Sequence, residues 1–586
     1  MLFHTFHYLP RHSSLLKKAA GPTPWIPAFA GMTEDGTFSP AVIPAKAEIQ
    51  EKDESGERRA SERQEMEGFE ESEITRNRLE AIESLRESGI DPYGEPYDRT
   101  HTTAEAIELF QELEDPSVEK FQTVPVRVSG RILSKRLMGK AAFADLHDLE
   151  GHIQVYFRKN DLPEGTFDTL VKRLDLGDII GVEGPVFRTR TGEISIHTQK
   201  VTLLSKVINN LPPLKEVEDE EGNLRRFYQF SEVEARYRQR YLDLILNSEA
   251  RETFRRRSRT LQILRREMDC LGYLEVETPM MHHIPGGAAA RPFVTHHNTL
   301  DVDLYLRIAP ELHLKRLIVG GLEAVYEINR NFRNEGISIK HNPEFTMLEA
   351  YKAYGDRETV MDLCEHLLTT VVTELFGNTR LTYQGVELDF TPPWKRVTMV
   401  DSIREVTGLA LDIHADLEEL KAQARSIGLT LDGVETPGHL INAVFEEKVE
   451  PTLIQPTFVM DYPTVISPLA KQKREDPAWV ERFELMIYGR EVANGFTELN
   501  DPQEQLKRFQ EQHAQREAGD EEAHAMDLDY VNALRCGMPP AGGIGIGIDR
   551  LVMFLTDSPS IRDVILFPLL RPRSSEAQDF AQPTDG

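Results

Sequence analysis

The chain has 586 residues, of which 40% are apolar and 28% charged, with a formal net charge of −29 at pH 7. This length is sufficient for several domains with apolar cores, and no apolar run approaches the ~18 residues of a membrane helix, so we expect a cytoplasmic protein without a membrane partner. The three cysteines, Cys270, Cys364 and Cys536, lie far apart and form no C-x-x-C pair. This spacing argues against a disulfide framework and against a structural zinc site, and it predicts buried thiols.

The N-terminal segment differs in composition from the rest of the chain. Residues 1–31 contain no acidic residue, whereas 48–73 are rich in Glu, Lys and Arg. An acid-poor, basic start is also typical of an organellar transit peptide. We predict a disordered or mis-assigned leader over residues 1–65, with Met66 as a candidate start.

Residues 66–118 are predicted to form a helical arm. Four apolar positions repeat there at helical spacing before the turn residues 91–94: Ile74, Leu79, Ile82 and Leu85.

Residues 119–210 have the pattern of a small β-barrel. About five short alternating segments are separated by glycine turns, which is typical of an OB-fold: 124–128, 142–146, 153–157, 179–184 and 194–203. Residues 121–210 carry 13 Lys and Arg against 10 Asp and Glu, although the whole chain is acidic. This local basic surplus favours a nucleic-acid face.

The remainder divides into a linker, a large domain and a tail. Residues 211–230 contain two prolines and an acidic run without periodicity, which predicts a solvated linker loop. A catalytic domain is expected over 231–573 and a disordered polar tail over 574–586. Within that domain, residues 401–450 are predicted to be a helical insertion from apolar positions at helical spacing: Leu417, Leu420, Ala424, Ile441, Val444 and Phe445.

Residues 271–281, LGYLEVETPMM, follow a predicted amphipathic helix. Apolar residues recur along one face of that helix: Phe254, Leu261, Leu264, Met268 and Leu271. By itself this pattern indicates only a packed helix.

Residues 325–351 contain two arginines, a histidine, aromatic rings and four carboxylates in two extended segments joined by a polar loop. Alternation along a strand places Phe345, Glu349 and Tyr351 on one face. Activating a carboxylic acid with a nucleoside triphosphate needs a fork of donors for the phosphate and a flat ring for the base, roles that Arg333 and Phe345 suit. The alternative is that the segment is an exposed hairpin with paired charges. This would explain any single residue of the segment, but it explains the whole set of residues poorly.

Residues 542–555, GGIGIGIDRLVMFL, alternate glycine with isoleucine before an apolar helix. The glycines predict close backbone approach, and Asp549 is a candidate cap for a helix beginning at Arg550. The spacing fits neither the dinucleotide-binding fingerprint nor the P-loop, which also requires a lysine.

Together these segments resemble the class II aminoacyl-tRNA synthetases, specifically the lysyl-tRNA synthetase family. FRNEGIS followed by HNPEFTMLEAY resembles motif 2, and segments 271–281 and 542–555 resemble motifs 1 and 3. The resemblance implies an α+β fold: an antiparallel class II sheet with flanking helices, plus an N-terminal OB-fold barrel. It further implies a homodimer that uses ATP and Mg²⁺ to activate L-lysine, releases pyrophosphate and transfers the lysyl group to the 3′-terminal adenosine of tRNA(Lys).

The resemblance also implies roles for individual residues. Arg333 and Arg550 would be catalytic. ATP would be bound by Arg333, Glu335, His341, Phe345 and Arg550, and Mg²⁺ by Glu484 and Glu491. Lysine would be bound by Gly287, Glu311, Arg333, Glu349, Tyr351, Asn494, Phe496 and Glu498. A uridine-rich anticodon would be read by Arg136, Phe143, Gln154 and Glu193; alternatively, Phe143 belongs to the barrel core.

Lysine is favoured as the amino acid because this set is rich in carboxylates, which are costly to bury without a cationic partner. Any one glutamate could instead serve Mg²⁺ or a neighbouring arginine. Three alternative functions stay open: a ligase that attaches lysine to a protein, a non-catalytic RNA-binding relative, and specificity for aspartate or asparagine.

Overall fold

The computed structural model describes residues 73–572, except 116, 119–120, 213, 219–223, 229, 231, 431–433 and 518–524. The predicted leader and tail lie outside these residues. The predicted arm contains two helices, α1 (Glu73–Glu87) and α2 (Thr103–Leu113). Ile82 and Leu85 of α1 are buried, whereas Ile74 is exposed. Thr102 and Glu105 form a capping box that fixes the start of α2.

A six-stranded barrel follows the arm. Its strands pair in the order β1-β2-β3-β5-β4-β6, and β1 also pairs with β4. A short helix, α3 (Thr166–Thr169), lies between β3 and β4. The segment predicted as one strand over 194–203 is two strands, and the OB-fold is otherwise as expected. The strands are β1 (Gln122–Met138), β2 (Ala141–His147), β3 (His152–Arg158), β4 (Ile179–Arg188), β5 (Ile194–Thr198) and β6 (Lys200–Ser205).

The segment predicted as a linker loop contains two paired strands. Strands β7 (Leu214–Glu218) and β8 (Leu224–Tyr228) form an antiparallel hairpin with Glu216 opposite Arg226. The pairing uses backbone groups, which do not require the apolar alternation that we sought in the sequence.

Three helices precede the large domain: α4 (Val233–Arg238), α5 (Arg240–Leu246) and α6 (Ser248–Cys270). Helix α6 buries Leu264 and Met268 as its pattern predicts, and also Ile263. Leu271 lies just beyond the helix and is 44% exposed, so the predicted apolar face ends one turn earlier than expected.

The domain is built on an eight-stranded sheet with the order β17-β18-β19-β20-β21-β14-β13-β9. All its pairings are antiparallel except β13–β9 and β17–β18. The strands are β9 (Leu274–Glu275), β13 (Ala324–Phe332), β14 (Glu344–Ala353), β17 (Lys395–Thr398), β18 (Thr457–Pro463), β19 (Trp479–Ile487), β20 (Arg490–Thr497) and β21 (Ala541–Gly547). Two smaller sheets comprise β10 (Met281–His282), β11 (Val294–His297) and β12 (Val302–Leu306), and β15 (Arg380–Tyr383) and β16 (Val386–Asp389).

Helices cover the sheet, and its core lies beneath them. Apolar residues of α6, of α8 (Arg357–Phe376) and of α14 (Ile548–Leu555) pack against the sheet residues Leu485 and Ile546. The remaining helices are α7 (Glu311–Val319), α9 (Met399–Thr407), α10 (Leu417–Ser426), α11 (Pro437–Val444), α12 (Pro502–Glu517) and α13 (Leu528–Arg535). The predicted α+β class is confirmed.

The segment predicted as a helical insertion contains helices. Helices α9 to α11 enclose a separate apolar cluster in which Leu420, Ala424, Ile441 and Val444 are buried. A π-helical turn, Phe445–Val449, continues α11.

The prediction of three buried thiols was wrong for two of them. Cys364 is buried, whereas Cys270 and Cys536 are exposed. Cys270 is the last residue of α6 and Cys536 follows α13, so both lie beyond the buried stripe of their helices. Within the described part of the chain, no helix is both long and apolar enough to cross a membrane.

Candidate active site

A cavity of about 340 Å³ lies on the face of the large sheet opposite the core. Of the residues predicted for ATP, lysine and metal binding, all but Glu498 line it: Gly287, Glu311, Arg333, Glu335, His341, Phe345, Glu349, Tyr351, Glu484, Glu491, Asn494, Phe496 and Arg550. They come from segments up to 263 residues apart, between Gly287 and Arg550. The sheet therefore brings the separate motifs to one place.

Strand β21 forms the floor of the cavity. Gly543, Gly545 and Gly547 line it, while Ile544 and Ile546 belong to the core beneath. A Cβ atom on Gly543 would overlap the Oε1 atom of Glu498 and lie 2.6 Å from the ring of Tyr351. The alternating glycines therefore permit the close approach that the sequence predicted.

Asp549 does not cap a helix, so that prediction was wrong. Helix α14 begins at Ile548 with Gly547 at its N-cap. Asp549 is buried inside the first turn, accepts a hydrogen bond from the Thr346 backbone N–H at 2.6 Å and forms an ion pair with Arg257 at 2.6 Å. It fixes α14 against β14 instead.

Arg333 follows the end of β13, and its guanidinium lies over the Phe345 ring at 5.1 Å from the centroid. Burial lowers the pKa of Arg333, and nearby carboxylates such as Glu491 oppose that effect. Among the described residues, its Nε atom has no hydrogen-bond partner. A half-buried guanidinium with a buried, unused Nε donor is suited to an anionic group of a ligand.

Arg550 is held at the other side of the cavity by Glu491. Its Nη1 atom donates to the Glu491 carbonyl at 2.6 Å and to Oε2 at 3.1 Å, and Nη2 lies 3.3 Å from His341 Nε2. Burial and the positive charge of Arg550 lower the pKa of His341, which favours a neutral imidazole there. Glu335 is exposed at the rim of the cavity.

A β-bulge brings Glu491 to the cavity. The register shifts between Leu485↔Ala493 and Met486↔Glu491, so β20 carries one extra residue, Val492. Without the shift, Glu491 and Asn494, which are an odd number of residues apart, would face opposite sides of the sheet. Glu484 lies directly opposite Asn494 and faces the same cavity.

Glu484 and Glu491 form a pair of carboxylates that fits a divalent cation. Burial raises the pKa of Glu484 to about 7; Arg482 opposes this shift and Glu491 adds to it. The pKa of Glu491 is lowered because Arg550 outweighs the effect of burial. No cluster of three or more possible protein ligands occurs in the described ranges. Two carboxylates completed by substrate phosphates are nevertheless a usual Mg²⁺ arrangement.

Further carboxylates, besides Glu484 and Glu491, are buried at one end of the cavity. Glu311, Glu349 and Glu498 are respectively 7%, 3% and 0% exposed. Burial, with the negative charge of Glu311 adding to it, raises the pKa of Glu349 to about 8. The Tyr351 hydroxyl donates to Glu349 Oε2 at 3.1 Å. This end of the cavity therefore favours a cationic guest or protonated carboxyl groups.

Glu498 lies just behind the cavity wall, one residue beyond the end of β20. Glu498 forms an ion pair with Lys315. Lys315 also pairs with Glu311, with a distance of 2.5 Å between Lys315 Nζ and Glu311 Oε1. Lys315 was not predicted from the sequence. Its position four residues after Glu311 on one helix could have predicted the pairing, because residues with this spacing are neighbours on a helix surface.

Arg482 was also missed, although it organises one wall of the cavity. Its side chain donates to Asn494 Oδ1 at 3.0 Å, to Ser467 Oγ at 3.0 Å and to Glu484 Oε1 at 2.5 Å. Arg482 therefore orients two residues that the sequence predicted for ligand binding.

The four residues predicted to read an anticodon lie on the barrel. Phe143 is half-buried on the outer face, whereas its neighbours Ala142 and Ala144 enter the core, so the alternative that Phe143 is a core residue is wrong. Arg136 is exposed and pairs across the strands with Phe143. Gln154 accepts a hydrogen bond from Ser195 Oγ at 3.0 Å, and Glu193 is exposed in the β4–β5 turn.

Further aromatic rings extend this outer face. Tyr156 lies 4.8 Å from Phe143, 6.1 Å from Phe187 and 5.6 Å from His197, measured between ring centroids. All four rings are partly exposed. Of this group only Phe143 was predicted from the sequence, although Tyr156 and His197 share an alternating strand position with predicted outward residues.

Comparisons with known proteins agree with this architecture. The family model of class II tRNA synthetases (D, K and N) matches residues 232–571, and that of the OB-fold nucleic acid binding domain matches residues 126–204. The chain therefore belongs to the class II tRNA synthetases.

The curated relatives narrow the class. The chain is 54% identical to the lysine–tRNA ligase of Syntrophomonas wolfei over 86% of this chain and 98% of the relative. It is 54% identical to the lysine–tRNA ligase of Moorella thermoacetica over 86% of this chain and 99% of that relative. It is 51% identical to the lysine–tRNA ligase of Bacillus subtilis over 85% of this chain and 97% of that relative. Within the class, the chain belongs to the lysine–tRNA ligase family, and the family predicted from the three motifs is confirmed.

Proposed function

We propose that the cavity activates L-lysine with ATP and that the lysyl group then passes to the terminal adenosine of tRNA(Lys). One observation carries the choice of amino acid: Glu311 and Glu498 are buried around one ammonium group, that of Lys315, and a third carboxylate, Glu349, is buried near Glu311. Buried carboxylates are costly without cationic partners, and lysine offers two ammonium groups.

In the proposed complex, Arg333 contacts the α-phosphate and the substrate carboxylate. The lysine carboxylate oxygen attacks the α-phosphorus and pyrophosphate leaves, so negative charge grows on oxygens that a fixed guanidinium stabilises. Phe345 and Arg550 would hold the adenine between them, with Glu335 near its amino group. His341 would contact the departing phosphates. Glu484 and Glu491 would hold Mg²⁺, which neutralises phosphate charge when bound.

The amino acid is proposed to lie along the cavity with its side chain toward the buried carboxylates. Glu311, Glu349 and the Gly287 backbone would receive the α-ammonium group, and Asn494 would help Arg333 to hold the carboxylate. Glu498 and Tyr351 would receive the side-chain ammonium group, beside Phe496. In the second step the ribose hydroxyl of the tRNA attacks the carbonyl carbon of the mixed anhydride, the acyl–phosphate bond breaks and AMP leaves. This step requires no nucleophilic side chain of the protein.

The test of this function is ATP–pyrophosphate exchange with each of the twenty amino acids, followed by charging of purified tRNA. Exchange supported by lysine and charging of tRNA(Lys) would agree with the proposal. Exchange supported by aspartate or asparagine would contradict the choice of amino acid. Lysine-dependent exchange without charging would favour a ligase acting on another acceptor, and a complete lack of exchange would favour a non-catalytic relative.

The barrel is proposed to bind the anticodon of tRNA(Lys) through its outer aromatic face. Phe143 and Tyr156 offer stacking surfaces, and Arg136, Gln154 and Glu193 offer polar groups for base edges. The local basic surplus of the barrel supports binding to a polyanion. We also propose that the enzyme works in the cytoplasm, where tRNA is charged.

A homodimer is proposed from the surface around motif 1. Strand β9 is an edge strand of the large sheet, and Leu271, Leu274, Met280 and Met281 near it are between 44% and 55% exposed. An exposed apolar patch at a sheet edge is suited to burial against a second copy of the chain.

A further inference from the structure

Lys315 is a buried cation at the end of the cavity proposed for lysine. Its side chain is 1% exposed, and it extends from α7 between Glu311 of the same helix and Glu498, which follows β20. The Nζ atom also lies 5.2 Å from the centroid of the Phe496 ring. Burial alone would lower the pKa of Lys315, but Glu311 and Glu498 outweigh that effect and raise it well above the ordinary value, so the ammonium group stays charged.

The charges at this end of the cavity do not balance within the protein when its carboxylates are ionised. Glu311 and Glu498 share one ammonium group, that of Lys315, and Glu349 is buried close enough for the negative charge of Glu311 to raise its pKa. With all three carboxylates ionised, two negative charges lack an ammonium partner. A lysine substrate brings two ammonium groups and therefore supplies the difference, whereas its carboxylate can be matched separately by Arg333.

The contacts of Lys315 also determine which oxygens of Glu311 and Glu498 are available to a ligand. Lys315 engages Oε1 of Glu311 and Oε2 of Glu498. Neither oxygen of Glu498 has a hydrogen-bond partner among the described residues, but Oε2 is engaged in the ion pair with Lys315. Oε1 is outside that ion pair and lies so close to the position that a Cβ atom on Gly543 would take that the two atoms would overlap. Gly543 lines the cavity, and so do Tyr351 and Glu311. Oε1 of Glu498 therefore lies beside the cavity floor and is free of the ion pair with Lys315.

We propose that Lys315 is a specificity-determining residue: it neutralises one of the three buried carboxylates and orients Glu311 and Glu498 so that the cavity accepts a guest with two ammonium groups. This inference rests on the proposed function. Lys315 does not contact the reacting atoms, so it is a positioning residue. Without it, and with all three carboxylates ionised, the cavity would lack three positive charges instead of two. Glu311 and Glu498 would also lose the ammonium group that they share.

The test compares Lys315→Met, which removes the charge at similar length, with Lys315→Arg, which keeps it. Pyrophosphate exchange measures the KM for lysine, the KM for ATP and kcat for each variant. We expect K315M to raise the lysine KM roughly 100-fold, since one partner of a buried ion pair is lost. The ATP KM should stay within about threefold, and K315R should recover part of the lysine affinity because it restores the charge.

Lys206 of the barrel offers a matched control. Its side chain is also fully buried between two carboxylates, Asp175 and Asp178, but exchange does not use the barrel. K206M is therefore expected to lower stability without changing the lysine KM. If K315M behaves like K206M, with an unchanged lysine KM, Lys315 is only structural and the inference fails.

A crystal structure of the wild-type enzyme with L-lysine gives a readout that does not depend on how the variants fold. The inference expects Lys315 to keep its contacts with Glu311 and Glu498 while the guest ammonium groups bind the other oxygens. Displacement of Lys315 by a guest ammonium group would overturn it. The two failures are distinguishable: absence of lysine-dependent exchange in the wild type refutes the proposed function, whereas normal exchange with an unaltered lysine KM in K315M refutes only the role of Lys315.

Discussion

Arg333 and Phe345 form a cation–π pair in the wall of the cavity, with the guanidinium carbon 5.1 Å from the ring centroid. The ring holds the planar guanidinium without using its hydrogen-bond donors. Nε is unpaired among the described residues. The fork is therefore preorganised for the phosphate before the ligand arrives.

Replacing Arg333 should remove most of the activity. Arg333→Ala is expected to abolish lysine-dependent pyrophosphate exchange, and Arg333→Lys to lower kcat by roughly 100-fold or more, because a point charge cannot reproduce the fork. Exchange kinetics measure both effects, with circular dichroism as the control for folding. Exchange at a near-normal rate in R333A would exclude this residue from the chemistry.

Gly543 should tolerate no side chain. In Gly543→Ala the new methyl group would overlap Glu498 Oε1 and press on the Tyr351 ring. We expect a loss of about 1–3 kcal/mol in the free energy of unfolding, as for other overpacked sites, together with a raised lysine KM. The control is Gly545→Ala, whose Cβ would meet only the flexible end of Met347 within 3 Å. Equal stability of the two variants in chemical denaturation would contradict the packing argument.

Lysine binding should release protons near neutral pH. Glu349, which faces Glu311, Tyr351, Arg333 and Glu327, has its pKa raised from 4.5 to about 8 by burial, so it is largely protonated in the empty site at pH 7. An ammonium guest binds the ionised form, so the association constant for lysine should rise with pH, by at most roughly tenfold per unit, and level off near pH 8.

Calorimetry in two buffers of different ionisation enthalpy measures that proton release directly. Glu349→Gln is the control, since it removes the titrating group and should reduce the number of protons released. The empty enzyme should also lose stability as the pH rises from about 4.5 to 8, because the folded state holds the proton more tightly than the unfolded state. A binding enthalpy independent of the buffer at pH 7 would refute the proposal for Glu349.

Substitutions on the aromatic face of the barrel should reduce tRNA charging without changing pyrophosphate exchange. Phe143→Ala and Tyr156→Ala are each expected to reduce kcat/KM for tRNA charging by roughly 10- to 100-fold, the usual cost of losing one base-stacking ring. Pyrophosphate exchange should be unchanged, because it needs no tRNA. Val124→Ala, at a position that is 72% exposed on the same barrel, serves as the control. A parallel loss of exchange and charging would point to misfolding instead of lost tRNA contacts.

Charges placed on the motif 1 surface should dissociate the proposed dimer. Leu274 and Met281 are 52% and 55% exposed, so Leu274→Glu with Met281→Glu should leave the fold of a single chain intact while opposing burial against a second copy. Analytical ultracentrifugation would show a mass of one chain, 66.8 kDa, instead of two. A wild-type protein that sediments as one chain at micromolar concentration would refute the dimer.

Local patterns were enough to predict much of the architecture. The buried stripe of α6, the alternation of Phe345, Glu349 and Tyr351, and the alternating glycines of β21 all follow from the period of a helix or a strand, which neighbouring residues determine. Errors arose where an outcome depends on distant partners. Asp549 has the sequence position of a helix cap, but Thr346 and Arg257 hold it inside the first turn.

By itself, the sequence determined the chemical groups of the site and the strand faces that carry them, because side-chain identity and alternation are local properties. Only the tertiary structure decided which of these groups are already satisfied within the protein. The bulge at Val492 turns Glu491 toward the cavity, and Lys315 pairs with Glu498 from another element. The net charge that the cavity presents to a ligand depends on the charges of side chains that are distant in the sequence. Only folding brings those side chains together.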